Sequence, residues 1–342
     1  MRAAIFHEHG GPEVVRIEEV PQPRPGPGEV LVQVKAAALN HLDLWVRRGL
    51  PIETTMPHIG GSDVSGIIAG VGEGVGVARV GERVVINPNL YDGTCEWCRR
   101  GEQSMCVKYR ILGEHTNGGF AEYITAAAAH AYRLPDAYAF EDAAALPIAY
   151  MTAWRALHSR ARVQPGEDVF VVGASGGTAL ASVQIAILIG ARVFALTSGA
   201  ENVQRLRDLG ASFVYDRAAD GDWGKALQRD TGGRGVDVVV ESVGAATWKG
   251  SIRALATAGR LVTFGATAGP KVDIDIRALF WRQTTVMGTT MASNAEFEQM
   301  LEVAFSGRLR PVIDSVMPLD QARQAHERLE SGGQFGKIVL VP

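Results

Sequence analysis

The chain of 342 residues carries a formal charge of −3, with 46% hydrophobic and 21% charged residues. The length suits two domains, and that balance excludes a disordered or fibrous chain. There is no basic excess to hold nucleic acid, no apolar run near the roughly 18 residues of a membrane span, and no signal peptide in Met1–Glu8, so the expectation is a soluble cytoplasmic protein with neither partner.

The first half reads as short strands at Arg2–Phe6, Val14–Glu19 and Glu29–Ala37, split by the Pro/Gly stretch Pro21–Gly28. Further Gly-punctuated pieces at Val64–Val71 and Gly81–Pro88 extend the pattern to a barrel-like β domain. A cysteine lobe follows, in which all 3 cysteines of the chain fall between positions 95 and 106. Cys95 and Cys98 form a C-x-x-C chelate, Cys106 adds a third thiolate, and Asp92 stands three residues ahead of Cys95. An odd, clustered set argues against a disulfide framework. Tetrahedral zinc wants four ligands, so Asp92, Cys95, Cys98 and Cys106 read as a structural zinc site, with a zinc-free lobe of reduced thiols as the alternative. A closed site of four ligands does no chemistry either way.

From about Pro147 strand and helix alternate. Val169–Val172 is a continuous apolar strand, Ala179–Ile189 a helix closing at Gly190, Ala191–Leu196 a strand, and Glu201–Leu209 a helix. Phe213–Tyr215, Trp223–Arg229, Val236–Val240, Trp248–Leu255 and Arg260–Phe264 continue the alternation, which is that of a doubly wound parallel sheet. After Gly288 it stops. Ser293 and Glu296 form a capping box for a helix through Phe305, Asp320 opens a second helix ending near Gly332, and Lys337–Val341 is a terminal strand.

Between the first strand and helix of that region lies Gly173-Ala-Ser175-Gly176-Gly177-Thr178-Ala179. Glycines there let the backbone approach a pyrophosphate, and the helix N-terminus offers free N–H groups and a positive dipole. The tip of the second strand, Leu196-Thr197-Ser198-Gly199, has no carboxylate to bind a ribose 2′-OH, and Ser198 could donate to a 2′-phosphate. No Lys or Arg follows until Arg205, so the charge argument for NADP(H) over NAD(H) is incomplete, although the balance leans that way.

The chain resembles the medium-chain dehydrogenase/reductase superfamily over nearly its whole length. The resemblance rests on Gly26-Pro-Gly-Glu-Val30, Ala38-Leu-Asn-His-Leu-Asp43, the cysteine lobe, Gly118-Gly-Phe-Ala-Glu-Tyr123, Leu146-Pro147, Thr152-Ala153, the glycine turn, Gly244, Gly265-Ala266 and Gly336-Lys-Ile-Val-Leu340. It implies an α/β protein with a GroES-like β-barrel catalytic domain at 1–149 and 289–342, a zinc lobe at about 87–110, and a Rossmann domain at 150–288. Zinc alcohol dehydrogenases of the family hold catalytic zinc through a Cys, a His and a later Cys. Aligned by motif, those places hold Asn40, Ser62 and Ile148, a pattern similar to the quinone oxidoreductase branch that lacks catalytic zinc.

The resemblance also implies roles. Asn40, Asp43 and Tyr150 are the candidate catalytic residues, Asn40 to orient cofactor ribose or substrate and Tyr150 to line the pocket with Trp45 or give a proton. His41 and Lys337 match cofactor-phosphate positions. Thr152, Gly265, Ala266 and Thr267 match positions on the nicotinamide side, and Thr197, Ser198 and Gly244 complete the cofactor set. Helix capping by Asn40 and local anchoring by Asp43 are the plainer alternatives. Without a Lewis acid, an acceptor that delocalises the incoming charge suffers least, so hydride transfer to a quinone or α,β-unsaturated carbonyl is expected. The alternatives are an alcohol or aldehyde dehydrogenase whose metal is held by His41, His58, Asp63 or His115, and a non-catalytic dinucleotide-binding scaffold. Thr284–Thr290 resembles the strand through which family members pair, which implies a homodimer or homotetramer.

Overall fold

The computed structural model describes residues 1–219 and 221–342. The chain divides into two compact units, Met1–Ala149 with Ala292–Pro342, and Tyr150–Met291. The second crossing comes three residues after the expected 288/289. Thr289 N–H still donates to Thr263 O, and Met291 Sδ accepts from the Thr152 hydroxyl, which keeps both with the inserted unit.

The first segment contributes β1 (Arg2–Phe6), β2 (Arg16–Glu19), β3 (Glu29–Ala38), helix α1 (His41–Arg48), β4 (His58–Ile59), β5 (Asp63–Val71), β6 (Arg83–Ile86), β7 (Asn89–Leu90), the single turn α2 (Glu96–Arg99), β8 (Arg110–Ile111), β9 (Tyr123–Ala127), β10 (Ala131–Arg133) and α3 (Phe140–Ala144). The second strand starts two residues later than expected because Pro12–Val14 form a 3-10 turn, for which Pro12 sets the first φ. Strand β3 is the axis of this unit. It pairs with β5 and β9, and the valines at 30, 32 and 34 are buried with Ile68, Val84, Ile86 and Ile124.

The inserted unit follows α4 (Pro147–Trp154), which carries the first crossing. It comprises β11 (Asp168–Val172), α5 (Gly177–Ile189), β12 (Arg192–Thr197), α6 (Ala200–Asp208), β13 (Phe213–Asp216), α7 (Trp223–Asp230), β14 (Val236–Glu241), α8 (Trp248–Ala254), β15 (Leu255–Thr263), α9 (Ile276–Arg282) and β16 (Thr285–Gly288). All six strands are parallel in the order β13-β12-β11-β14-β15-β16, so the direction of winding switches at β11 and β14. Strand β11 is buried at every position, as an apolar strand in the middle of a parallel sheet must be. The sequence expectation carried α8 through Leu255 and began the next strand at Arg260. Instead Leu255 already pairs with Val236 of β14, so the strand starts five residues earlier and α8 ends at Ala254.

The tail holds α10 (Asn294–Phe305), β17 (Ile313–Pro318), α11 (Ala322–Ser331) and β18 (Lys337–Val341). Strand β18 lies antiparallel to β3 and parallel to β17, which returns the chain end to the sheet of the first segment. No helix among the described residues is long and apolar enough to cross a membrane.

Candidate active site and metal lobe

The β18 pairing brings Lys337 beside Asn40 and Asp63. Its ammonium, 3% exposed, donates to Leu39 O at 2.7 Å, Asn40 Oδ1 at 2.5 Å and Asp63 Oδ2 at 3.0 Å. Asn40 Nδ2 donates to the same Asp63 oxygen at 2.9 Å, and Ile148 N–H donates to Asp63 Oδ1 at 2.8 Å. The Asn40 amide is therefore held from both ends, and its orientation is set by one cation and one anion. All three ammonium protons of Lys337 are spent on these acceptors, a geometry different from the free phosphate contact that the resemblance implies.

Asn40 is also the N-cap residue of α1, and its N–H donates to Asp43 Oδ2 at 2.7 Å. Gly61 N–H donates to the other Asp43 oxygen at 3.0 Å. Burial pushes the Asp43 carboxyl up to about 7, against the pull of those two donors. At 3% exposure, and with one N–H on each oxygen, Asp43 ties the start of α1 to the Gly61–Ser62 segment, as in the local anchoring role. Tyr150 is 1% exposed, and its hydroxyl donates to Gln184 Oε1 at 2.7 Å inside the inserted unit. His41 opens α1 half-buried beside the Trp45 ring, and burial lowers its pKa.

A catalytic metal does not fit this arrangement. Asn40 is committed to Lys337 and Asp63, Ser62 Oγ is buried with no partner, and Ile148 has no donor atom. A metal ion here would stand against a buried ammonium. The fallback ligands do not converge either: His58 Nε2 meets Gly113 O at 3.0 Å, while His115 Nδ1 accepts from Ile111 N–H at 3.2 Å.

Among the described residues, the group of His, Cys, Asp and Glu side chains close enough to hold an ion is Asp92, Cys95, Cys98 and Cys106, whose ligand atoms lie within 4.8 Å of one another. Asp92 Oδ1 accepts from Cys95 N–H at 2.9 Å and Thr94 N–H at 2.8 Å, which hold its carboxyl well below the usual range and keep it ionised. Cys106 Sγ receives two backbone N–H groups, from Asp92 and Lys108. Three sulfurs and one carboxylate oxygen suit tetrahedral zinc, which these four residues would hold.

In the inserted unit, Gly173 to Thr178 form the turn from β11 into α5, with Gly176 at the N-cap and no side chain closing the helix end. Gly244 follows β14 with φ of 86°, and a Cβ there would sit 2.4 Å from Gly269 O. That position admits only glycine, because the loop after β15 lies directly on it. Thr267 N–H donates to Ser242 O, and Gly265 and Ala266 pack on the same loop. Gly173, Gly244, Gly265, Ala266 and Thr267 thus share the C-terminal rim of the sheet, the place where an open parallel sheet binds a dinucleotide. Thr152 is buried, its hydroxyl on Met291 Sδ, and Thr197 and Ser198 end β12, the first buried and the second exposed.

Two residues of this rim escaped the sequence reading. Glu241, fully buried, accepts from Val243 N–H at 2.7 Å, Gly244 N–H at 3.1 Å, Thr247 Oγ1 at 2.9 Å and Ser251 Oγ, and so fixes the loop that carries Gly244. A carboxylate ending an apolar strand just before Ser-Val-Gly was the available signal. Arg217 is the other. Its N–H donates to Thr197 O at the tip of β12, although it lies on the following loop.

Comparison with known proteins agrees with both units. Residues 26–136 match the alcohol dehydrogenase GroES-like domain, and residues 177–306 match the zinc-binding dehydrogenase domain. An alcohol dehydrogenase of Schizosaccharomyces pombe is 31% identical over 99% of this chain and 97% of its own. A quinone oxidoreductase of Rattus norvegicus is 31% identical over 100% and 98%. A crystal structure of an NAD-dependent alcohol dehydrogenase superposes with a TM-score of 0.96 at 42% identity, covering 100% of both chains. With a dinucleotide cradle on one unit, a GroES-like barrel in the other and full-length relatives on two enzymatic branches, the chain belongs to the medium-chain dehydrogenase/reductase superfamily and is an NAD(P)-dependent oxidoreductase.

Proposed function

We propose that the protein transfers hydride to a quinone or an α,β-unsaturated carbonyl without a catalytic metal. The observation that carries this reading is the buried cluster in which Asn40, at one metal-ligand position, is committed to the Lys337 ammonium and the Asp63 carboxylate. Such a site has no Lewis acid to hold an alkoxide, so simple alcohols are poor substrates. Quinones and conjugated carbonyls spread the incoming charge over their own π-system. When bound, the reduced nicotinamide supplies the hydride. The turn from Gly173 to Thr178 and the loops at Gly244 and Gly265 to Thr267 bind and orient that cofactor, and Asn40, held by Lys337, presents a fixed amide to ribose or substrate.

NADPH is the preferred donor in this reading. Ser198 is exposed at the tip of β12, and Arg217 beside it is exposed with no ionic partner among the described residues. Arg217 provides the cation that a 2′-phosphate needs and that β12 itself lacks. The lobe carries one structural zinc on Asp92, Cys95, Cys98 and Cys106. The protein assembles as a homodimer or homotetramer through the free edge of β16.

Elemental analysis with a substrate screen tests this. About one zinc per chain, lost in a C95S/C98S variant, together with NADPH-dependent reduction of enones or quinones, is the expected result. R217A should raise the KM for NADPH about ten-fold or more and leave that for NADH near its original value. About two zincs per chain, with chelator-sensitive alcohol oxidation, would replace this reading with the alcohol dehydrogenase one.

A further inference from the structure

Among the described residues, strand β9 pairs only with β3. Two bonds at the ends of that ladder, Val34 N–H to Glu122 O and Ala128 N–H to Gly28 O, fix its phase. Ile124 and Ala126 therefore turn their N–H and C=O groups toward β3, while Tyr123, Thr125 and Ala127 turn theirs to the opposite edge. Strand β1 covers that edge as far as Glu122, through Ala4 N–H to Phe120 O and Glu122 N–H to Arg2 O. From Tyr123 to Ala127 the outward backbone groups meet no partner among the described residues.

Open edges are commonly blunted by Lys, Pro or a bulge, and Tyr123-Ile-Thr-Ala-Ala127 has none of these. Recession protects it instead. The edge lines a cavity of about 670 Å3 within the first unit, together with Val20 and Pro23 of the proline-rich segment and Leu90 and Arg110 of the β7–β8 ribbon. A strand that belongs to a sheet of another molecule brings its neighbours with it and does not fit such a recess. A single extended segment does, and five residues span the roughly 13 Å from Tyr123 to Ala127.

The cavity also states what chemistry suits it. Arg110 is exposed, with neither ion pair nor hydrogen bond to its guanidinium among the described residues. The carboxylate on the lining, Glu29, already accepts from Gly26 N–H at 2.8 Å. His130 is 8% exposed and lies 5.2 Å from the Tyr91 ring, with no hydrogen bond to its imidazole among the described residues. An unpaired cation and a buried, unpartnered imidazole thus stand beside a row of free backbone groups.

We propose that the open edge of β9 docks an extended, acidic segment of a partner protein. The segment adds a strand antiparallel to β9 and in line with β1, and pairs a carboxylate with Arg110. Backbone bonds to Tyr123, Thr125 and Ala127 supply affinity whatever the sequence, and alternate apolar side chains entering the cavity beside Leu90 and Leu112 supply selectivity. Nothing in this docking depends on the proposed reaction.

The test pans phage-displayed random heptapeptides on the full-length protein. Sequences with alternate apolar residues, one Asp or Glu and no Pro should be enriched. The enriched peptide, once synthesised, should slow amide exchange at Tyr123, Thr125 and Ala127, read by NMR, with Ile124 and Ala126 slow in its presence and absence alike. T125P removes an outward donor and leaves the β3 ladder intact, and R110E reverses the charge. Each should weaken peptide binding about ten-fold or more, and a peptide with Lys in place of its acidic residue should regain affinity for R110E. No enriched peptide, or unchanged exchange at those amides, overturns the docking site, a readout on wild type that does not depend on either variant folding. Equal binding to R110E overturns the acidic character of the segment. A lower mass of T125P than of wild type by light scattering would make a second copy of this chain the occupant and overturn the partner.

Discussion

At the scale of single residues, the site is organised by one buried cation. Lys337 is 3% exposed and Asp63 fully buried, so each supplies most of the other's electrostatic compensation. Burying such a pair costs desolvation, and its net value over an apolar pair is small. Removing one partner is different, because the remaining charge has no water to turn to. K337M should therefore destabilise the protein by about 3–5 kcal/mol, read from the urea midpoint with m unchanged. A loss under about 1 kcal/mol would mean that Asn40 Nδ2 and Ile148 N–H suffice to hold the Asp63 carboxylate.

At the scale of elements, helices α1 and α11 are joined by Arg47, whose guanidinium is fully buried, meets Glu330 at 3.1 Å and donates to Gly10 O. Beside it on α11, His326 is 4% exposed, edge-on to the Phe120 ring at 5.9 Å, with Nδ1 unpartnered. Burial, reinforced by Arg47, drives its pKa down to about 3. The native state thus keeps this imidazole neutral, while the unfolded chain takes a proton below about 6.5. The contribution is complete above pH 6.5 and is lost as pH falls from there toward 3, at about 1.4 kcal/mol per pH unit. The difference in urea midpoints between pH 7 and pH 5 should accordingly shrink in H326L. An equal acid sensitivity in both proteins would assign it to other groups.

At the scale of the whole molecule, one group of large exposed apolar side chains stands next to an open sheet edge. Ile276, Phe280 and Trp281 of α9 are 70%, 62% and 82% exposed, and β16, which follows them, pairs with β15 on one side. An unpaired edge strand beside large apolar side chains is a surface that soluble proteins cover. A second copy joined edge to edge would cover both. Light scattering should return the mass of two or four chains, and F280D/W281D should reduce it. A monomeric wild type at micromolar concentration would contradict the assembly.

Much of this protein was legible in the amino-acid order alone. Five of the six parallel strands follow from apolar runs punctuated by Gly, because a strand covered on both faces must be continuously apolar, whereas the edge strand β16 came only from the resemblance of Thr284–Thr290. The cofactor turn and the lobe were readable because their residues are near neighbours: Asp92 to Cys106 spans one loop, and its ligand atoms gather within 4.8 Å. The proposed chemistry was harder to read because its residues are far apart. Lys337 and Asn40 are separated by 297 positions, and only the β18 to β3 pairing makes their contact. The partners of Tyr150 and Asp43 show the same limit: the bonds to Gln184 and Gly61 join positions 34 and 18 residues apart, which spacing alone does not reveal. Sequence sets local periodicity and short-range ligand spacing, whereas burial and the partner each buried polar group finds are properties of the folded chain, and these decided which residues remain available for chemistry.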